Sequence, residues 1–316
     1  MTHTPKPPVP VRAGHVALVG RPNVGKSTLL NTLVREPLAI TSPRPQTTRE
    51  PVRGIMTRDS SQYVFIDTPG IHAPRTRMGR WMNDVAIQTA RSADIVVLVV
   101  EFRGQSPARE GFVQSVDPGD MALAAELAEL PTVLAVNKVD RAKDKSALLP
   151  FISALSELRP FEAVVPICAR DGDGLDSLLD ELATHLPEQP FLHEPDALTD
   201  QPERFFVAEL VREQVVANLR QEVPHGVAVT IEAFNRTPKG VEIDATVHVV
   251  RPSHKKIVIG AQGAMLKSIG SAARVKIERL LGIHVRLNLW VREAPDWMND
   301  EVRMRDFGYG GRTDDR

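Results

Sequence analysis

The sequence contains a single cysteine, Cys168, and has no long apolar run. A lone cysteine cannot form an intramolecular disulfide, which favours a reducing compartment. The longest apolar runs, such as residues 95–100, are far shorter than the roughly 20 residues that a membrane-spanning helix needs. The proline-rich start, residues 1–13, lacks the apolar core of a secretory signal and is interpreted as a flexible tail. These features predict a cytoplasmic protein.

Neither sign of charge is in excess. The formal net charge is −1, so the overall composition does not by itself indicate a nucleic-acid partner. Hydrophobic residues make up 42% of the chain and charged residues 25%, which is typical of a soluble globular protein. A length of 316 residues suits two domains of ordinary size.

Short β-branched runs alternate with amphipathic segments in the first part of the chain. The predicted strands are 16–19, 63–66, 95–100, 132–136 and 163–167, and the predicted helices are 27–34, 121–130, 146–158 and 175–186. This alternation predicts an α/β domain with a doubly wound, mostly parallel sheet, over residues 14–187. In such sheets ligands bind at the carboxyl ends of the strands. Residues 187–202 contain four prolines, and residues 188–202 are predicted to be a linker.

A phosphate-binding loop directly follows the first predicted strand and opens a helix. Its glycines allow the backbone to wrap around phosphate, and its N–H groups supply positive potential. Lys26 is expected to reach the β- and γ-phosphates, and the Ser27 hydroxyl to ligate Mg²⁺. Thr28, next in the chain, is included in the candidate site, although helix surface is its simpler interpretation. The loop residues are Gly20, Arg21, Pro22, Asn23, Val24, Gly25, Lys26 and Ser27.

A DxxG motif, Asp67-Thr68-Pro69-Gly70, ends the next apolar strand. The pattern alone is weak, and Asp171 with Gly174 forms a second example that is better interpreted as a turn and helix cap. The position of the first motif favours it, because Asp67 at a strand end can hold Mg²⁺ through water. The Gly70 N–H is expected to face the γ-phosphate, with Ile71 beside it.

Asn137-Lys138-Val139-Asp140 ends a further strand and indicates which base is bound. The Asp140 carboxylate can accept hydrogen bonds from both N1–H and the 2-amino group of guanine. Adenine offers neither donor, so the buried acceptors would be left unpaired. Asn137 is expected to tie the base to neighbouring loops, and the stem of Lys138 to cover the ring. The motif therefore predicts GTP and GDP as ligands.

Two further segments complete the candidate nucleotide site. Cys168-Ala169-Arg170 follows a strand where GTPases usually have Ser-Ala, and a backbone contact from Ala169 to guanine survives the change. An ordinary buried cysteine is equally compatible, and no redox role is assigned. Between the first helix and the second strand, Thr48 is predicted to complete the Mg²⁺ shell when γ-phosphate is present, with Thr47 as the weaker candidate.

The second domain, residues 203–316, is predicted to contain a helix, two strands, a short apolar run, a GxxG loop, a helix and a final strand. This order matches a bacterial-type KH fold, whose GxxG loop holds about four backbone nucleotides. From Arg251 to Trp290 there are eight Lys/Arg and one acid, which indicates a polyanion site. Part of this charge has a simpler interpretation as a solvated helix face. The candidate RNA-binding residues are Lys255, Lys256, Ile259, Gly260, Ala261, Gln262, Gly263 and Lys267.

With these motifs the chain resembles the Era family of bacterial ribosome-associated GTPases from residue 15 to about residue 309. The family-like segments are 46–49, 67–72, 202–205, 258–263, 289–291 and 307–309, and the departures are Cys168 and a longer stretch over 102–116. The resemblance implies binding of the 3′ end of 16S rRNA and a role in assembly of the 30S subunit. It also implies peripheral association with the cytoplasmic face of the membrane, and we expect a monomer.

The resemblance bears on hydrolysis as well. Ile71 stands where Ras-like GTPases have a water-orienting glutamine, so slow intrinsic turnover is expected. Asn23 resembles the asparagine that related GTPases use to hold K⁺, with Thr47 as a second candidate ligand; a turn residue is the equal alternative for Asn23. A signalling GTPase whose basic second domain binds membrane or protein is the main alternative function. A tRNA-modifying GTPase would need a further catalytic domain, for which the sequence has no region.

Overall fold

The computed structural model describes residues 11–42, 47–104, 116–142, 144–219 and 226–310. The chain divides into two compact units, the first comprising residues 1–72 and 82–200 and the second residues 73–81 and 201–316. Gln46 of the family-like segment 46–49, and most of the stretch 102–116, lie outside the described residues.

The first unit contains a six-stranded sheet in the order β2-β3-β1-β4-β5-β6. All neighbouring pairs are parallel except β2 with β3, so the predicted mostly parallel sheet is confirmed. The strands are β1 (Arg12–Val19), β2 (Val52–Arg58), β3 (Ser61–Asp67), β4 (Ile95–Glu101), β5 (Thr132–Asn137) and β6 (Ala163–Pro166).

Helices accompany this sheet, whose central strands are buried along nearly their whole length, as expected when both faces are covered. They are α1 (Lys26–Val34), α2 (Arg77–Ser92), α3 (Pro118–Glu126), α4 (Leu148–Ser156) and α5 (Leu175–His185). Apolar residues of β1, β4 and β5 form a core with α3 and α4. Each predicted nucleotide motif therefore emerges from one edge of a rigid sheet.

Three features of this unit differ from the sequence-based expectation. Strand β1 begins at Arg12, inside the segment predicted as a tail, because Arg12 and Ala13 pair with β3. Strand β2 is not predicted, since it is a short edge strand interrupted by Gly54. Helix α2 is also not predicted, because it is polar overall; its buried apolar residues are Met78, Met82, Ala86 and Ala90.

Residues 188–200, expected as a linker, run along the edge of the first unit. The Gln62 side chain accepts from the backbone of Leu192 and His193, and Ile55 N donates to Leu198 O at 2.8 Å. Arg53 pairs with Asp200 at 2.9 Å. The two units separate at residues 200 and 201, close to the predicted start of the second domain.

The second unit has a three-stranded sheet, β7-β8-β9, in which β7 and β8 are antiparallel and β8 and β9 are parallel. Helices α6 and α8 pack on it. This is the predicted KH arrangement. Its elements are α6 (Glu203–Asn218), β7 (Val227–Thr237), β8 (Gly240–Val249), α7 (Pro252–Ile259), α8 (Ala264–Leu281), β9 (Val285–Glu293) and α9 (Glu301–Asp306).

The run before the GxxG loop is a helix, α7, and not merely a short apolar stretch. Pro252 occupies its first turn, where a missing N–H costs nothing, and Gly260 ends it with φ 73°. Ile269 and Ala273 of α8 are fully buried, as expected of core residues. Among the described residues, no helix is both long and apolar enough to cross a membrane.

The outer face of this sheet carries an aromatic cluster. Phe307 stacks on His248 with ring centroids 4.1 Å apart, and Trp297 stacks on Tyr309 at 5.5 Å. Trp81 meets the edge of Tyr309 at 6.0 Å. Residues 73–81 therefore belong to the second unit by packing, although the DxxG motif lies just before them in sequence.

Candidate nucleotide-binding and RNA-binding sites

The phosphate loop joins β1 to α1, as predicted. Gly20 and Gly25 have φ of 157° and 109°, and Gly25 precedes the first residue of the helix. Lys26 Nζ donates to the carbonyls of Gly20 at 2.9 Å and Arg21 at 3.0 Å, so the ammonium is held within the loop. Burial lowers the pKa of Lys26 to about 8, with Asp67 and Asp120 opposing that shift. An anion bound there would favour the charged lysine.

The three predicted Mg²⁺ ligands lie together beside the loop. Ser27 Oγ donates to Asp67 Oδ2 at 2.7 Å, Thr48 Oγ1 donates to the same oxygen at 3.0 Å, and the two hydroxyls are 3.0 Å apart. Burial raises the pKa of Asp67, whereas Lys26 and the two hydroxyls lower it. The structure thus brings Thr48 to this cluster, and Thr47 lines the same cleft.

The cluster fits a magnesium ion. Asp67 is fully buried, and its Oδ1 receives no hydrogen bond from any residue in the described part of the chain. Carboxylate and hydroxyl oxygens are ligands that this hard cation prefers. Ser27, Thr48 and Asp67 are therefore the residues that would hold it.

Asn137 links three loops of the candidate site. Its Nδ2 donates to Val24 O at 2.7 Å, and its Oδ1 accepts from Ala169 N at 2.9 Å and Lys138 N at 2.8 Å. A Cβ on Gly25 would lie 2.2 Å from Asn137 Nδ2, so only glycine allows this approach. The Ala169 N–H, expected at guanine O6, donates to Asn137 in this structure.

Asp140 is at the site edge, in a 3₁₀ turn over Val139–Arg141. Its carboxylate accepts from Cys168 Sγ at 3.3 Å and lies 3.4 Å from Arg170 Nη2. Cys168 is buried, and burial raises the pKa of its thiol. The cysteine therefore acts here as a neutral hydrogen-bond donor to the predicted guanine-reading carboxylate.

Residues of the phosphate loop, with Thr48, Gly70 and Lys138, line a cleft of about 540 Å³, whereas Asp67, Asn137 and Asp140 do not line it. Its volume is in the range of small-molecule sites. Asn23, Thr28 and Thr47 are among its lining residues, although helix surface was the simpler expectation for Thr28. Thr68 does not line the cleft, because its hydroxyl is buried and donates to Leu18 O at 2.7 Å. The lining residues are Pro22, Asn23, Gly25, Lys26, Ser27, Thr28, Ile40, Thr41, Ser42, Thr47, Thr48, Gly70, Glu101 and Lys138.

The end of the DxxG motif rests on the phosphate loop. A Cβ on Gly70 would lie 2.8 Å from the backbone of Pro22, and Ile71 N donates to Gly20 O at 3.2 Å. The Ile71 side chain packs against the core of the first unit. At this position, therefore, the chain offers no side-chain group that could polarise a water molecule.

Several residues that support the site were not predicted from the sequence. Glu101, at the end of β4, pairs with Lys138 Nζ at 3.0 Å, and Lys138 Nζ also donates to Asn23 O at 2.8 Å. Arg21 turns to the start of α3, where its Nη1 lies 2.5 Å from Asp117 Oδ2. The only sequence signal for these contacts is the position of the acids at the end of a strand and the start of a helix.

In the second unit, Gly260, Ala261, Gln262 and Gly263 form the turn between α7 and α8. Gln262 and Gly263 are left-handed, with φ of 50° and 80°, and the side chains of Ala261 and Gln262 are exposed. A Cβ on Gly260 would lie 2.7 Å from Met265 Cβ, which requires glycine there. The loop thus presents backbone to solvent between two helices.

The predicted RNA-binding lysines flank this loop. Lys256 and Lys267 are exposed, and Lys255 is half-buried with its Nζ 3.9 Å from Glu293. Ile257 is 47% exposed, whereas Val258 is fully buried in the core. Ile259, beside Gly260, is half-buried. An exposed aliphatic side chain next to basic groups suits a strand of bases and phosphates.

The fold and motifs define a P-loop GTPase domain followed by a KH domain. The family model described as "50S ribosome-binding GTPase" matches residues 15–138, and the one described as "KH domain" matches residues 222–297. The chain is 44% identical to GTPase Era of Ruminiclostridium cellulolyticum over 302 residues, covering 94% of this chain and 97% of the relative. The chain therefore belongs to the GTPase Era family. GTPase Era of Geobacter metallireducens is 45% identical, covering 95% and 98%.

Solved structures agree with this assignment. An Era variant of Aquifex aeolicus bound to GDP and tetrafluoroaluminate is 35% identical, with a TM-score of 0.86, covering 95% of this chain and all of that one. An Era complex with MgGDPNP and nucleotides 1506–1542 of 16S ribosomal RNA is also 35% identical, with a TM-score of 0.87 and the same coverage.

Proposed function

We propose that this chain is a GTP-hydrolysing, RNA-binding protein that acts in assembly of the small ribosomal subunit. Residues 14–187 would bind the nucleotide and residues 203–316 the RNA. The observation that carries the proposal is the contact of Ser27, Thr48 and Asp67 beside Lys26, because these groups together suit a magnesium-bound triphosphate. The related Era structures contain GDP or MgGDPNP, which supports the same ligands here.

Hydrolysis transfers the γ-phosphoryl group to water, forming one P–O bond and breaking the bond to the β–γ bridging oxygen. Lys26, held by two loop carbonyls, is placed to offset negative charge on the phosphates. Bound Mg²⁺ would supply further charge neutralisation at the phosphate oxygens. The Gly70 N–H lies at the same end of the cleft, but Ile71 offers no group to orient water. We therefore expect slow turnover until a partner assists.

The KH unit would bind the 3′ region of 16S rRNA, as the Era protein in the RNA complex does. Its exposed GxxG backbone, the lysines beside it and the exposed Ile257 support this assignment. Association with the 30S subunit follows from the same RNA. We also propose a cytoplasmic monomer, and the basic segment, residues 251–290, supports peripheral membrane association.

RNA binding can be tested by filter binding with an oligomer of the small-subunit 3′ sequence, in GDP and in a GTP analogue. Replacing Lys255, Lys256 and Lys267 with glutamate should abolish binding at physiological salt. It should also reduce the slope of log binding constant against log salt concentration by about two, because each phosphate contact with a single strand contributes about 0.7 to that slope. Lys239→Glu, on an exposed β7–β8 turn of the same unit, is the matched control. Unchanged RNA binding by the triple variant would contradict the KH assignment.

The same variants separate RNA from membrane as the main partner. Vesicles containing anionic lipid, mixed with the protein in a flotation assay, give the second measurement. The proposed function requires tight, sequence-dependent RNA binding. Vesicle binding without RNA binding would instead favour the signalling alternative.

Potassium at Asn23 and Thr47 is a further part of this proposal. Both residues line the cleft, on its phosphate-loop side and on the segment that carries Thr48. We expect faster GTP hydrolysis in K⁺ than in Na⁺, and loss of that difference in Asn23→Ala. Equal wild-type rates in the two salts would remove the potassium role and leave Asn23 as a turn residue, which its φ of 65° also suits.

A further inference from the structure

Arg21 is a phosphate-loop residue whose side chain leaves the cleft. Its guanidinium reaches the start of α3, where Nη1 lies 2.5 Å from Asp117 Oδ2 and 3.5 Å from Asp120 Oδ2. Arg103 also contacts Asp117, at 3.2 Å. None of the chemistry assigned to the nucleotide site accounts for this pairing.

The first turn of α3 is shaped around that guanidinium. Asp117 caps the helix by accepting from Gly119 N at 2.9 Å, with Pro118 as the first helical residue. A Cβ on Gly119 would lie 2.9 Å from Arg21 Cδ and 3.0 Å from Arg21 Nε. Gly119 lies in the helix, so the arginine side chain occupies the space that a Cβ at this position would take.

Asp120 is an acid in an unfavourable place. It is 4% exposed, and its Oδ1 receives no hydrogen bond from the residues that the structure describes. Burial raises the pKa of Asp120 to about 6, while Arg21 acts in the opposite direction. A buried acid of this kind destabilises a fold unless a cation lies beside it. Its presence facing Arg21 indicates a role in holding that side chain.

Arg21 is also connected to the phosphate-binding lysine. The backbone carbonyls of Gly20 and Arg21 are the two groups that accept from Lys26 Nζ. The side chain of Arg21 thus anchors, on α3, a backbone position that holds Lys26. A shift of this anchor would move one of the two carbonyls on which the lysine depends.

We propose that Asp117 and Asp120 are positioning residues: by holding the Arg21 side chain, they place the phosphate loop so that it binds the β-phosphate. The inference rests on the proposed binding of guanine nucleotide at this loop. Helix α3 then determines how firmly the phosphates are held, without touching them.

Gly119→Ala gives the sharpest test. The methyl group would displace the flexible arginine side chain, while alanine favours the helix more than glycine does. We expect an unfolding temperature of the nucleotide-free protein that is unchanged or raised, together with GDP affinity lowered about threefold to tenfold. Asp120→Asn should lower GDP affinity to a similar degree. Glu126→Gln is the matched control: Glu126 also lies on α3, its exposed carboxylate pairs with Arg91 of α2, and the variant should bind GDP normally.

Two readouts separate this role from a general loss of structure. GMP lacks the β-phosphate, so the ratio of GDP to GMP affinity should fall in Gly119→Ala and not in the control. In an Arg21→Ala background, Gly119→Ala and Asp120→Asn should each have almost no further effect, because the residue through which they act is gone.

The outcomes are distinguishable. Wild-type protein that does not bind GDP would overturn the proposed function and this inference with it. Normal GDP binding by Gly119→Ala, or effects that add in the Arg21→Ala background, would overturn the positioning role alone. An equal loss in Glu126→Gln would show a general effect of α3 and likewise refute the inference.

Discussion

Replacing Asp140 with asparagine should change which purine the protein selects. The carboxylate can accept from N1–H and the 2-amino group of guanine, whereas an asparagine amide keeps one acceptor and presents a donor to the other. Xanthine has a carbonyl at that second position. The variant should therefore lose affinity for GDP and gain affinity for xanthosine diphosphate.

The structure limits the size of the effect. A hydrogen bond to a charged group contributes about 1.5–3 kcal/mol, and two are altered. Asp140 is not free in this structure, since Cys168 and Arg170 contact it, and its side chain is 31% exposed. Part of the energy gained with guanine therefore replaces existing contacts. We expect a loss of about 3 kcal/mol, roughly a hundredfold in GDP affinity.

The assay is competition of a fluorescent guanine nucleotide with GDP, xanthosine diphosphate and ADP at constant Mg²⁺. Asp171→Asn is the matched control, because Asp171 contacts the same thiol at 3.2 Å and the same arginine. Its GDP affinity should change less than about threefold. If Asp140→Asn keeps the wild-type ratio of GDP to xanthosine diphosphate affinity, or if wild-type protein binds ADP as tightly as GDP, the guanine assignment is refuted.

Two further predictions concern the magnesium cluster and the KH sheet. Thr48→Ala removes a hydroxyl that contacts Asp67. Single-turnover measurements should show a GTP turnover number lowered about tenfold or more, and binding measurements should show GDP affinity within about twofold of wild type. An unchanged turnover number would contradict the assignment of Thr48 to the magnesium cluster. Burial lowers the pKa of His248 to about 4, so the folded protein resists a proton that the unfolded chain takes up below about 6.5. The free energy of unfolding should therefore fall by at most about 3 kcal/mol as pH drops from 6.5 to 4, and His248→Gln should lack this contribution to the fall. Urea unfolding followed by tryptophan fluorescence measures both. If the free energy of unfolding of His248→Gln falls with pH as steeply as that of the wild type, the role assigned to His248 is refuted.

Local sequence was enough to locate the nucleotide motifs because each combines a short spacing with a strand end. Gly20 to Ser27 needs only a strand before it and a helix after it, and both are present. Asp67 and Asn137 likewise end β3 and β5. Parallel strands share one carboxyl edge, so motifs distant in the chain meet without further information.

The sequence does not predict contacts that depend on residues far along the chain. Arg21 was predicted as part of the phosphate loop, where it lies, but the pairing of its side chain with two acids at the start of α3 was not predicted. Helix α2 was missed because it is polar on average, and its first turns pack with residues 297–309. The segment before Gly260 was predicted only as a short apolar run because residues 257–259 are consecutive apolar residues. In the structure they end helix α7, and of the three only Val258 is fully buried.

The sequence by itself determined the guanine and phosphate motifs, the parallel sheet and the KH order, since these follow from periodicity and fixed spacing. Only the tertiary structure showed which oxygens Thr48, the threonine that the sequence already favoured, contacts: those of Ser27 and Asp67. It also decided that a cysteine donates to Asp140, and that α3 holds the phosphate loop through Arg21. The reason is physical: spacing fixes which backbone positions meet, whereas the direction of each side chain depends on charges and space contributed by residues far away in the sequence.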